Sequence, residues 1–259
     1  MKTVSDYLHR SMTYTYPPKR IISLSPAITE TMYHLQLHDE IVGRTRFCIY
    51  PKDHVNDAVK VGGTKDIKLE AIDQLKPDII IAEKEENTKE IIKTLEKHYP
   101  VYVFEIQTID DALHMIQDLG RLTDRETLAA DLTSEIVTQF QTLPEVDHVR
   151  VAYVIWRNPY MVVGKDTYIQ SVLDKMGFIN PFTSFTGRYP LVSEEDFQKA
   201  ELDYVFLATE PYRFQAKHFE EFSNMMPHVQ PLLVDGEMFW YGAKMIKAAT
   251  YFRNEFSSF

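Results

Sequence analysis

Residues 43–51, GRTRFCIYP, gather two arginines, two aromatic rings and the chain's one cysteine. Arg44 and Arg46 are each able to hold a carboxylate or phosphate bidentately, while Phe47 and Tyr50 offer flat apolar faces. Between two guanidinium groups Cys48 could serve as a thiolate of lowered pKa, the nucleophile of an enzyme. The stretch reads as a loop after the first helix, and loops at strand ends carry function. The structural alternative tucks Phe47 and Cys48 into the core.

Other stretches share this character. VGGTKD, residues 61–66, sets two glycines beside Thr64 and Lys65 and could let the backbone approach an anion. It lacks P-loop spacing, and a plain turn explains it equally well. In AEKEEN the residues Lys84, Glu85, Glu86 and Asn87 follow a buried strand at its carboxyl end, where open α/β sheets bind ligands; a solvated helix start accounts for the acids as well. WRNPYMVVGKDTYI supplies Trp156, Arg157 and Tyr160, and DGEMFWYGAK supplies Phe239, Trp240 and Tyr241. Both tryptophans therefore fall in expected loops, which favours a ligand surface over packing. His34 and His38 have metal-pair spacing, but no third ligand follows in register, so no metal site is assigned. Ser25 lacks the GxSxG elbow of serine hydrolases.

These residues need elements to hold them. In RIISLSPAITETMYHLQL an apolar run, Ile21 to Leu24, leads to Ser25 as N-cap, Pro26 at the first helical position and apolar residues at helical spacing. LEAIDQLKPDIIIAEKEEN repeats the theme: a short helix stops before Pro77, and Asp78 opens the buried strand Ile79 to Ala82. EIIKTLEKHYP is a helix and VYVFEI a strand. TIDDALHMIQDLGRL is helical, Thr123 with Glu126 forms a capping-box pattern, and Leu128, Leu132, Ile136 and Phe140 lay an apolar stripe along a second helix. Strand VRVAYVIW, helix TYIQSVLDKMGF and strand LDYVFLAT then resume the alternation of a helix-covered parallel sheet. Glu70 stands eight residues before Asp78 and Glu195 eight before Asp203, with apolar residues in matching places, so the two segments superimpose at a separation of 125 residues. That match points to two similar α/β lobes, and lobes of this kind leave a cleft in which small molecules bind.

Composition bounds the rest. A chain of 259 residues that is 44% apolar can bury a sizeable core. With 38 acids against 28 bases the net charge is -10, which argues against a general affinity for nucleic acid or an anionic membrane face. No apolar run reaches the length of about 18 residues that a membrane helix needs, and no membrane insertion is expected. The opening MKTVSDYLHRSMTYTYPPKR lacks the apolar core and cleavage site of a signal peptide. One cysteine forms no internal disulfide.

Taken together and in order, RIISLSPAITE, LEAIDQLKPDIII, GKDTYIQSVLDKMG, LVSEEDF and LDYVFLAT resemble the substrate-binding proteins of metal-chelate ABC importers. This is the helical-backbone group of vitamin B12, haem and ferric-siderophore receptors, and the resemblance runs from residue 19 to about residue 255. It implies the class III periplasmic binding protein fold: α/β, two Rossmann-like lobes joined by one long bridging helix, with little hinge motion. The division expected is an N-terminal lobe over 1–107, a bridging helical segment over 108–144 and a C-terminal lobe over 145–259. The family's permease-docking glutamates fall on Glu70 and Glu195. Its aromatic loop falls on the region ending at Tyr50 and Pro51. Lys65 stands where the vitamin B12 receptors carry a cleft tryptophan, and Met238 to Tyr241 match their second tryptophan region loosely. GRTRFC, GGTK and KEEN are similar to a subgroup that often begins without a signal peptide.

The reading that follows is a non-catalytic, monomeric receptor that hands a metal chelate of iron or cobalt to an ABC permease, with no covalently bound cofactor. Its ligand contacts are Arg44, Arg46, Phe47, Tyr50, Lys65, Lys84, Trp156, Arg157, Trp240 and Tyr241. Its location is periplasmic or at the cell surface if a leader has been removed, and cytoplasmic if Met1 is the native start. The rival readings are a cytosolic metal-cofactor handler or a Cys48-dependent enzyme on the same fold, and, third, a scaffold with an occluded cleft.

Overall fold

A computed structural model describes all residues, 1–259. The chain divides into two compact units, one formed by Met1–Ile106 with Asp110–Glu135 and the other by Gln107–Ile109 with Ile136–Phe259. The first unit thus takes in most of the helical segment that was expected to stand between the lobes. No helix is long and apolar enough to cross a membrane.

The first unit opens on an antiparallel pair, β1 (Lys2–Ser5) and β2 (Ser11–Tyr14), which the sequence reading did not anticipate. Buried Asp6 closes it, accepting from the N–H groups of Leu8 and Arg10 at 3.0 Å each. Next come β3 (Ile21–Ser23), α1 (Pro26–His34), β4 (Ile41–Arg44), β5 (Val59–Lys60), α2 (Leu69–Leu75), β6 (Ile79–Glu83), α3 (Lys89–Leu95) and β7 (Val101–Phe104). The strands form one all-parallel sheet in the order β5-β4-β3-β6-β7. β3, β6 and β7 are buried on both faces, which is why they read as nearly continuous apolar runs, closed in β3 by Ser23 and in β6 by Glu83. Pro26 does begin α1, but Ser25 makes no side-chain cap; its carbonyl instead accepts the Thr29 hydroxyl at 2.7 Å.

Two helices complete this segment, α4 (Ile109–Thr123) and α5 (Glu126–Phe140), with Asp124 between them in the left-handed region at φ 61°. The capping box expected at Thr123 is not made. Thr123 ends α4, and its hydroxyl donates back to the Leu119 carbonyl at 2.6 Å. Gly120 sets how closely the helices approach, because a Cβ there would stand 2.6 Å from the Cβ of Ala129.

The second unit carries β8 (Val151–Trp156), β9 (Tyr160–Val162), α6 (Tyr168–Lys175), β10 (Leu191–Val192), α7 (Glu194–Lys199), β11 (Tyr204–Ala208), α8 (Phe219–Met225), β12 (Gln230–Val234) and α9 (Lys244–Phe256). Its sheet order is β10-β9-β8-β11-β12. β8, β11 and β12 are parallel, but β9 runs antiparallel to β8 and β10. The cause is local: three residues separate β8 from β9, and so short a connection returns the chain antiparallel. The core here is rich in phenylalanine, with Phe182, Phe197, Phe214 and Phe222 all buried and packed edge to face.

The 125-residue internal match is structural. Lys76 (φ 44°) and Glu201 (φ 50°) each end a short helix in the left-handed region. Asp78 accepts from the N–H groups of Lys19 and Arg20, and Asp203 from that of Arg150. The Nε of Arg20 donates to the Leu75 carbonyl at 2.7 Å, and that of Arg150 to the matching Ala200 carbonyl at 3.2 Å. Each unit thereby locks the start of its central strand, β3 or β8, to the helix that precedes a parallel neighbour, β6 or β11.

Candidate functional site

In a parallel sheet all carboxyl ends lie on one edge, so the loops after β3, β4, β5 and β6 gather along one rim of the first unit. The loop after β4 begins at Thr45, and Arg44 itself is the last residue of the strand. Arg44 is 2% exposed, and each of its three guanidinium nitrogens donates to an internal acceptor. Its Nε donates to the Val55 carbonyl, Nη1 to those of Thr45 (3.2 Å) and Cys48 (2.9 Å), and Nη2 to Asn56 Oδ1 (2.8 Å). Arg44 is therefore a bracket for the loop rather than a ligand contact. Cys48 is fully buried, with its sulfur 3.1 Å from the Thr29 hydroxyl and 3.2 Å from that of Thr45. Burial pushes its thiol up, outweighing the lowering by those hydroxyls and by Arg44. The thiolate reading fails on this ground, because a nucleophile must be both ionised and reachable.

The rest of the loop faces outward. Phe47 and Ile49 are 47% and 46% exposed, Tyr50 is half-buried, and the Arg46 guanidinium lies 4.8 Å from the Phe47 ring centre. Arg46 also pairs with Asp66 at 2.8 Å, which holds that carboxyl below its ordinary range. This pair explains VGGTKD. A Cβ at Gly63 would fall 2.2 Å from Asp66 Oδ1 and 2.9 Å from Arg46 Cζ, so the anion that the glycines admit is the protein's own. Lys65 places its ammonium on the Glu85 carbonyl at 2.5 Å, and Lys84 pairs with Glu105 at 2.7 Å. Every base nominated on this rim already faces an internal acceptor.

The loop after β6 is built on two residues that carry no exposed surface of note. Asn87, buried, accepts from the Glu83 N–H and donates to the carbonyls of Leu24 and Thr64, joining three strand ends. Glu83, also buried, accepts from the N–H groups of Glu85 and Glu86. Glu83 escaped the sequence reading because it looks like the end of a strand; the one signal was an acid closing the apolar run IIIAE.

In the second unit the carboxyl ends of β8, β11 and β12 bring together Trp156, Glu210 and the segment up to Tyr241. Trp156 is the final strand residue rather than a loop residue, 42% exposed, with its ring 5.8 Å from that of Tyr212. Arg157 is clamped by Glu221 through Nε–Oε1 at 3.0 Å and Nη2–Oε2 at 2.9 Å, and Tyr160 donates to the same carboxylate. This bidentate pair consumes the fork that a ligand would need, so Arg157 is removed from the ligand contacts. Trp240 is half-buried, its indole N–H donates to Glu210, and the Lys244 ammonium lies 5.7 Å from its ring. Tyr241 packs edge to face on Tyr168 at 5.8 Å. Phe239 is core, between Tyr153 and Phe252.

Glu70 and Glu195 each occupy the second position of a short helix, α2 and α7, and both are exposed; Glu195 carries an ion pair with Lys199 at 2.6 Å. His38 packs against Tyr33 and His54, and no group of three or more His, Cys, Asp and Glu side chains is placed to hold a metal ion. A polar cavity of about 590 Å3 opens beside α6, lined by Thr108, Lys165, Gln170, Asp174, Asn180 and Thr183 among others. None of the residues nominated from sequence lines it.

Residues 21–228 match the family model described as periplasmic binding protein. A vitamin B12-binding protein of Vibrio parahaemolyticus is 29% identical over 184 residues, which is 69% of this chain and 66% of that relative, a little under two-thirds of its length. Among solved structures, the periplasmic vitamin B12-binding protein of Vibrio cholerae superimposes with a TM-score of 0.77 at 22% identity, covering 92% of this chain and 96% of that one. The periplasmic haem-binding protein of the same organism gives 0.77 at 19%, covering 91% and 97%. At these identities the two structures speak for the fold.

Proposed function

Since this chain belongs to the periplasmic binding protein family, we propose that it is a solute-binding receptor that takes up a metal chelate of the cobalamin or haem kind and delivers it to an ABC importer. The observation that carries the reading is the loop after β4. Phe47 and Ile49 lie nearly half exposed beside the Arg46 guanidinium, and Tyr50 follows. Apolar rings held open to water at a strand end gain free energy when a broad flat ligand covers them. The relatives named for vitamin B12 and haem bind ligands of that shape.

Within the chelates, the pairing of the bases favours one class. Arg46, Lys65 and Lys84 each already meet an internal acceptor, so a polyanionic ferric citrate must break those contacts to gain its own. A macrocycle with a large apolar face gains from the rings without that competition. The metal, iron or cobalt, arrives inside the chelate, and the receptor works as a monomer outside the cytoplasmic membrane.

Thermal-shift titration tests this directly. Cyanocobalamin or haemin should raise Tm in proportion to log concentration, and ferric citrate should leave it unmoved. Arg46→Ala and Tyr50→Ala should each weaken the binding by about tenfold. Equal shifts by every chelate, or wild-type affinity in both variants, would overturn the reading.

A further inference from the structure

Glu83 ends β6 with 2% of its surface exposed, an uncommon place for a carboxyl. Its Oε2 accepts the N–H groups of Glu85 and Glu86 at 2.9 Å each. Its Oε1 is buried and meets no hydrogen-bond partner. Around it Asn87 links the Glu83 N–H (3.0 Å) to the carbonyls of Leu24 (3.2 Å) and Thr64 (3.1 Å), and Lys65 closes the frame on the Glu85 carbonyl (2.5 Å). Asn87 and Lys65 thus pin the segment Lys84–Asn87 to the loops after β3 and β5, while the Glu83 carboxyl holds the turn of that segment from within and carries one unmatched oxygen.

We propose that Glu83 is the positioning residue of the first unit's ligand rim, and that a proton on its Oε1 holds segment 84–87 in the conformation that receives the ligand. The inference rests on the receptor reading above. A protonated carboxyl leaves Oε2 as the acceptor for both N–H groups and puts a neutral hydroxyl in the dry slot at Oε1. Ionisation places a charge there with no donor to answer it. Water can supply the donor only if the segment loosens.

The surrounding charges press the same way. Glu85 and Glu86, on the same loop, both disfavour a charge on Glu83. The loop after β3 contributes the uncharged Leu24 carbonyl. From the loop after β5 come the Thr64 carbonyl and Lys65, whose charge acts on Glu86, while Asp66 is paired with Arg46. On the β7 side Glu105 is paired with Lys84. Burial is the largest influence, and against the lowering by the Glu86 and Glu85 N–H groups it pushes the Glu83 carboxyl up to about 7.

The test is calorimetric titration of the full chain with cyanocobalamin and with haemin from about pH 5.5 to about pH 8.5, on wild type and Glu83→Gln, with the amide resonances of Glu85 and Glu86 followed in the free protein over the same range. Wild-type affinity should fall by about three- to tenfold as pH rises through neutrality, and both amides should titrate with one shared midpoint. Glu83→Gln should lose both dependences, because its amide cannot ionise. Amides that do not move near neutral pH, or an unchanged pH profile in Glu83→Gln, would overturn the proposal. If that variant does not fold, the wild-type amide titration decides alone. If neither probe binds at any pH while the amides still titrate, the receptor reading and the ligand half of this proposal fall together, and control of the loop by Glu83 stands.

Discussion

The guanidinium of Arg44 donates through Nη1 to the backbone carbonyl of Cys48 at 2.9 Å, so the two residues that most invited a chemical reading of GRTRFCIYP are parts of its frame. Their neighbours Arg46, Phe47 and Tyr50 are what that frame presents.

Removing Arg44 should therefore cost stability. Arg44→Ala strands the carbonyls of Val55 and Cys48 in a buried setting, while that of Thr45 keeps the Cys48 N–H, and a loss of about 3 kcal/mol or more is expected in urea unfolding. Arg44→Lys should recover only part of it, because an ammonium lacks the planar fork. Wild-type stability in Arg44→Ala would refute the role.

Cys48 should resist reagents in the folded protein. With the thiol buried and its pKa raised, alkylation by iodoacetamide at neutral pH should proceed only as fast as the protein opens, and should accelerate with urea in step with unfolding. Rapid stoichiometric labelling of the native protein would contradict the buried geometry.

Docking through Glu70 and Glu195 makes a separable claim. Both acids are exposed at helix starts, so Glu70→Ala and Glu195→Ala should leave Tm and chelate affinity near wild type and together cut uptake through the cognate importer. Normal uptake by the double variant would exclude them.

Glu83 should also make stability depend on pH. Its carboxyl sits at about 7 in the folded protein against 4.5 for an ordinary glutamate, so the folded state holds a proton that the unfolded chain has released. The stability this contributes is complete below pH 4.5 and is lost as pH rises to about 7. At about 1.4 kcal/mol per pH unit the difference is on the order of 3 kcal/mol. The wild-type profile minus that of Glu83→Gln should show that decline, and a flat difference would sink it.

Much of the fold was legible because its signals are local. Pro26 after Ser25, Pro77 before Asp78 and the run Ile79–Ile81 mark boundaries through backbone geometry and burial alone, and the acids Glu70 and Glu195 exposed the duplication that Lys76 and Glu201 then repeat in the backbone. The hairpin of β1 and β2 was missed because its alternating half-buried residues carry a weak apolar signal. The reversed direction of β9 was missed because strand polarity is set by the connection rather than by composition.

By itself the sequence determined the alternating α/β architecture and the loops on which chemistry could sit, since each depends on residues within a turn or two of one another, and also the duplication, which is a match between two such local segments. Tertiary structure alone decided which side chains in those loops remain available. Asn56 and Val55 bind Arg44, Asp66 meets Arg46, Glu221 clamps Arg157 and Glu210 holds Trp240. Charge and ring type are written in the chain, but whether a polar group is already satisfied depends on partners that only folding brings within reach.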